Sequence, residues 1–164
     1  MPHADLMYGC DARWWNLHDG CPDFHGQKWS THEGKPHSNN KEQVADDFGV
    51  SLVRGCAGVG FSTNPALIHY GDNSGFQTLN LAVLLGSTYI VLVGFDMRFV
   101  GGKSHFFGDH DGIFQRVEYG SFAAHFDKAP PPPGVQIINA TPSSAINCYP
   151  RMHLDDALAG YTAA

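Results

Sequence analysis

The stretch 72-DNSGFQTLNLAVLLGSTYIVLVGFD-96 decides how this chain is read. Phe76, Leu79, Ala82 and Val83 recur at helical spacing, with Leu81, Leu84 and Leu85 widening the apolar surface almost all round. Gly86 stands where a helix needs a residue with positive φ to stop. Tyr89-Ile90-Val91-Leu92-Val93-Gly94-Phe95 then runs without polar alternation, as a strand does when both faces of a parallel sheet are covered by helices. Asp96 closes it.

The flanks extend the same grammar. A short apolar run at residues 4–8 reads as a strand, and Asp11 as the N-cap of a helix over residues 12–18. Residues 27–31 and 51–54 are strand candidates, and residues 55–70 are irregular. Residues 115–128 read as a helix, 135–139 as a strand, 147–152 as a loop and 154–159 as a terminal helix. Helices alternating with strands imply parallel pairing through right-handed crossovers. The expected architecture is therefore a doubly wound, mainly parallel α/β fold in three layers, formed as a single domain over residues 1–164, with residues 19–50 mostly loop. The Pro130-Pro131-Pro132-Pro133 run is read as a local spacer.

Composition narrows the function. Ten Lys and Arg against 16 Asp and Glu leave a net charge of −6, which excludes a general grip on nucleic acid or on an anionic membrane. The longest apolar stretch is broken at Gly86-Ser87-Thr88, so no membrane span is expected. Cys10, Cys21, Cys56 and Cys148 form no CxxC pair and no secretory signal precedes them, so reduced thiols in a cytoplasm are expected.

Ligands of open α/β sheets settle beyond the carboxyl ends of the strands. Three segments are candidates for that place. Asn73-Ser74-Gly75 opens a helix, where free N–H groups and the helix dipole favour an anion; the alternative is a cap with no ligand. Gly94-Phe95-Asp96 puts a carboxylate at a strand end, suited to ribose hydroxyls or to Mg²⁺ held through water, or else to closing a turn. Residues 101–111 gather Lys103, His105, Asp109, His110 and Asp111 between glycines. A histidine there could act as general base with a carboxylate orienting it; the alternative is a solvated surface loop. Cys10, His18, Cys21 and His25, or His105, Asp109, His110 and Asp111, match no compact zinc spacing, and no metal site is assigned. Trp14, Trp15 and Trp29 could stack on a base or sugar, or pack against the sheet.

Taken together, Asn73-Ser74-Gly75, the helix to Gly86, the strand to Asp96 and Gly101-Gly102-Lys103-Ser104-His105 resemble one superfamily. It contains the bacterial sialyltransferases and the 6-hydroxymethylpterin diphosphokinase-like proteins. Uncharacterised bacteriophage proteins of this superfamily are similar over Cys10-Asp11-Ala12-Arg13-Trp14-Trp15, Phe106-Phe107-Gly108-Asp109-His110 and Asn139-Ala140-Thr141-Pro142-Ser143-Ser144-Ala145.

The resemblance implies a Rossmann-like domain that binds a nucleotide or nucleotide-sugar and transfers a glycosyl or diphosphate group, in the cytoplasm of a bacterial host. It places Asn73, Ser74 and Gly75 at the phosphates and Gly94, Asp96 and Asn139 along the pocket. It makes His105 or His110, with Asp109, the acid–base group. Relatives open with a strand and a GxGPS turn, whereas this chain starts at Met1-Pro2-His3-Ala4-Asp5, one βα unit later. Either the sequence is a piece of a longer one or part of the nucleotide site has been shed, and a missing first strand would leave a sheet edge that a second copy could cover to make a homo-oligomer. The alternative function is a non-catalytic binding or assembly protein that retains the fold.

Overall fold

The computed structural model describes residues 3–32, 41–104 and 119–161. They divide into two compact units, one built from residues up to 58 with 62–81, the other from 59–61 with 82 onward.

The first unit is organised on a four-stranded, all-parallel sheet in the order β1-β2-β3-β4, with β1 at Leu6–Tyr8, β2 at Gln27–His32, β3 at Ser51–Cys56 and β4 at Leu67–His69. Helix α1, Ala12–Leu17, joins β1 to β2, and α2, Lys41–Phe48, joins β2 to β3. Their apolar sides bury Ala12, Trp15, Val44 and Val50 together, with Met7 of β1, Trp14 and Phe48 packed against them. Asp11 is the N-cap of α1, in extended backbone geometry, and its carboxylate accepts from the Arg13 N–H. Trp15 is fully buried, and its indole N–H donates to the Gly9 carbonyl, so it packs as core.

Strand register sorts the side chains by face. Tyr8 is level with Trp29, Trp29 with Ser51 and Gly55 with Ile68, so Tyr8, Thr31, Gly55, Ile68 and Tyr70 point to one face and Met7 to the other. Helix α3, Ser74–Leu84, is tied to the Tyr8 face, whereas α1 and α2 are tied to the Met7 face. Helices on both faces of a parallel sheet make the three-layer, doubly wound α/β arrangement of a Rossmann-like fold. Gly55 is required here. A Cβ on it would lie 2.2 Å from Tyr70 Cε1 and 2.4 Å from Thr31 Oγ1.

The second unit pairs β5, Tyr89–Leu92, in parallel with β6, Gln136–Asn139. Ile137 and Ile138 are both buried although they point to opposite faces, which is why the run lacks alternation. Helix α4, Tyr119–Asp127, contributes buried Phe126, whose ring meets Phe95 edge-on. Helix α5, Leu154–Tyr161, is held to β5 by the Tyr89 hydroxyl donating to the Ala157 carbonyl at 2.8 Å. After β6 the chain returns beside it: the Asn139 N–H donates to Pro150 O and the Met152 N–H to Asn139 O.

Two elements depart from the sequence reading. Helix α2 falls inside the stretch read as loop; its mean hydropathy is low, and among its described side chains Val44 is buried with Phe48 packed beside it. Strand β4 falls inside the stretch read as irregular and is only three residues long. Among the described residues no helix is long and apolar enough to cross a membrane, and all four cysteines are free thiols.

Candidate functional site

Between β4 and α3 the chain reverses through two successive left-handed residues, Gly71 (φ 49°) and Asp72 (φ 56°). A Cβ on Gly71 would sit 2.2 Å from the Phe76 ring, so only glycine fits this turn. Asn73 then caps α3 with both ends of its amide: Oδ1 accepts from the Phe76 N–H at 2.8 Å, and Nδ2 donates to Gly71 O at 2.6 Å. The Ser74 hydroxyl is shared with the end of β1. It accepts from the Cys10 N–H at 3.1 Å and donates to Cys10 Sγ at 3.0 Å. This bond fixes the start of α3 to the carboxyl end of β1. The N–H groups of Ser74 and Gly75 have no hydrogen-bond partner among the described residues, as expected for the first turn of a helix.

Behind that opening lies a chain of partly buried polar contacts. The Tyr8 hydroxyl donates to Gln77 Oε1 at 2.7 Å, Gln77 Nε2 donates to Tyr70 O at 2.9 Å, and the Tyr70 hydroxyl donates to Gly55 O at 2.7 Å. Burial pushes the Tyr8 phenol far above its ordinary value, so it remains a neutral donor. Asn80, fully buried one turn on, accepts from the Ser62 and His69 N–H groups at 3.0 and 2.9 Å and donates to Ser62 O. The floor of the opening is thus set by polar residues of α3 that hold the strand ends.

The second unit has its own strand-end cluster. Gly94 (φ 76°) turns the chain out of β5. Beyond it the Phe95 N–H donates to Thr141 Oγ1 at 3.0 Å, and the Ser144 hydroxyl donates to Phe95 O at 2.5 Å. Asp96 Oδ1 accepts from the Ser143 hydroxyl at 2.8 Å, and Oδ2 has no hydrogen-bond partner among the described residues. Asn139, buried at the end of β6, accepts from the Thr141 N–H and donates to Ile146 O, both at 3.1 Å, and it also borders a cavity. Gly94, Asp96 and Asn139 therefore belong to one knot of loops.

Asn73, Ser74 and Gly75 lie together in the first unit, and Gly94, Asp96 and Asn139 in the second. His105, Asp109 and His110 lie outside the described residues. The start of the glycine-lysine segment is a tight hairpin: Gly101 and Gly102, both at positive φ, turn between Val100 and Lys103, whose N–H and C=O groups exchange hydrogen bonds. Both glycines are thus needed for the turn itself. Among the described residues no three His, Cys, Asp or Glu side chains gather in a way that could hold a metal ion, and Cys10, His18, Cys21 and His25 make no such group.

Tyr8, Tyr70 and Gln77 join the first site without having been singled out in the sequence, and Cys10 joins it in a place the sequence did not suggest. Gln77 and Asn80 left a legible signal, since two amides spaced three apart in a helix otherwise rich in leucine must be either exposed or satisfied inside. They are satisfied inside, at 3% and 0% exposure. Comparison with protein-family models, with curated proteins and with solved structures returns no match.

Proposed function

We propose that this protein binds a nucleotide or nucleotide-sugar and acts as a transferase of glycosyl or diphosphate groups, with the ligand's phosphate at the N-terminus of α3. One observation carries the reading. At the carboxyl edge of a four-stranded parallel sheet, α3 opens with two N–H groups that have no partner among the described residues, and Asn73 and Ser74 hold them in place. N–H groups so arranged, with the helix dipole behind them, attract a phosphate without any lysine or arginine. That suits a chain of net charge −6. The likeness to the sialyltransferase and diphosphokinase-like superfamily supports the transfer chemistry, with His105 or His110 as the base and Asp109 orienting it.

Thermal unfolding in the presence of nucleoside mono- and diphosphates and nucleotide-sugars, with and without Mg²⁺, tests the binding. A ligand at 100 times its Kd stabilises the fold by about 2.7 kcal/mol and raises Tm. Ser74→Asp keeps an acceptor for the Cys10 N–H and suits a helix start, yet sets a carboxylate where the phosphate would lie. The variant is expected to melt like the parent without ligand and to lose the ligand-induced rise. A rise that survives in Ser74→Asp, or no rise with any nucleotide, overturns the reading. His105→Ala and His110→Ala then separate transfer from binding alone: loss of turnover with retained binding supports the transferase.

A further inference from the structure

A cavity of about 540 Å³ lies at the carboxyl ends of β5 and β6, within the second unit. Its size is that of sites which enclose small organic ligands. Much of its wall is apolar, from Val93, Ala140, Pro142, Met152 and Leu154. Val93 and Met152 are 56% and 38% exposed, apolar surface that a folded chain gains by covering.

Arg151 is the one permanently charged residue among the described residues that line it, and its guanidinium reaches Pro142, another lining residue. It is rigidly placed, because residues 150–152 run beside β6 and hydrogen-bond to Asn139 on both sides. Nη1 donates to Pro142 O at 3.1 Å, and Nη2 donates to Ser144 O, to Asn147 Oδ1 at 3.0 Å and weakly to Ile146 O at 3.4 Å. Every one of these acceptors is neutral. Among the described residues no carboxylate pairs with Arg151, and its Nε–H makes no hydrogen bond. A guanidinium does not lose its proton, so Arg151, an exposed residue, carries a charge that no carboxylate among the described residues balances. His153, also on the wall, is exposed and lies 3.5 Å from the Asp155 carboxylate.

We propose that this cavity binds a small organic acid, with its carboxylate on Arg151 and its apolar body against Val93, Pro142, Met152 and Leu154. One guanidinium with donors to spare matches a monoanionic carboxylate. A dianionic phosphate would have a single permanent positive charge to face among the described lining residues, on a wall that is mostly apolar. Nothing in this assignment depends on the N-terminus of α3.

The test is calorimetric titration of the full chain with naphthalene-2-carboxylate and with its neutral counterpart, naphthalene-2-carboxamide. The acid is expected to bind with a Kd below about 1 mM and at least about tenfold more tightly than the amide, the margin of a charge-assisted hydrogen bond. Val93→Asp, at an exposed wall position, is expected to weaken the acid by at least about tenfold with Tm unchanged, through repulsion across the cavity. Ser74→Asp is expected to bind the acid as the parent does, which keeps this result separate from the nucleotide reading. Equal affinity for acid and amide, an acid affinity untouched by Val93→Asp, or no saturable binding of the acid overturns the proposal.

Discussion

Cys148, although an exposed residue, shows how the surroundings of a thiol set its chemistry. Partial desolvation, with the Asp127 carboxylate adding to it, pushes its thiol up to about 11 from an ordinary value of 9.0. The raised value favours the protonated form in the fold. The stability linked to it is therefore full below the ordinary thiol value and is lost as pH climbs from about 9 through about 11. At pH 8 the thiolate fraction of Cys148 should be roughly a hundredfold below that of an unperturbed thiol. Alkylation by iodoacetamide, followed by peptide mass spectrometry, should find Cys148 slow in the folded protein and fast in urea. Rapid modification of folded Cys148 at pH 8 would contradict this environment. The polar amides make the same point in reverse. Asn73, Asn80, Gln77 and Asn139 each spend their donors and acceptors on backbone or side chains of their own unit. Of the residues expected at the phosphates, Asn73 is thus a cap, and what remains for a ligand is the N–H groups that follow it.

At the scale of elements, α1 depends on its first residue more than on its length. Six residues are too few for a helix to persist on propensity alone, so the cap and the burial of Ala12 and Trp15 carry it. Asp11→Ala removes the acceptor for the Arg13 N–H and should cost about 1 kcal/mol, read as a lower denaturant midpoint at unchanged m-value. A midpoint within error of the parent would show that the cap contributes nothing. The elements legible in sequence were those with a strong local signal. The cap at Asp11, the helix stopped by Gly86 and a strand from Tyr89, ending at Leu92 rather than running to Phe95, all appear, because capping, positive φ and an apolar run each mark the residues themselves. Helix α2 and strand β4 did not show. A short helix of low hydropathy, and a strand of three residues, are made by what they pack against rather than by their own pattern.

At the scale of the whole molecule, the alternation of helices and strands was enough to imply parallel sheets with helices on both faces, and the first unit has that arrangement. The candidate site was legible only in part. Asn73-Ser74-Gly75 announced itself by turn and cap chemistry. Its partner Cys10 lies 64 residues away, and no local pattern reports a contact of that span. Arg151 was invisible for the same reason: its role depends on a return of the chain beside β6. The central claim, an anion held at the start of α3, is tested most directly by following backbone amides in a ¹⁵N–¹H titration with nucleoside mono- and diphosphates. The account predicts saturable shifts that are largest at Ser74 and Gly75 and absent in Ser74→Asp. Shifts that leave these two amides unmoved while others respond, or a spectrum unchanged by every nucleotide, would contradict it.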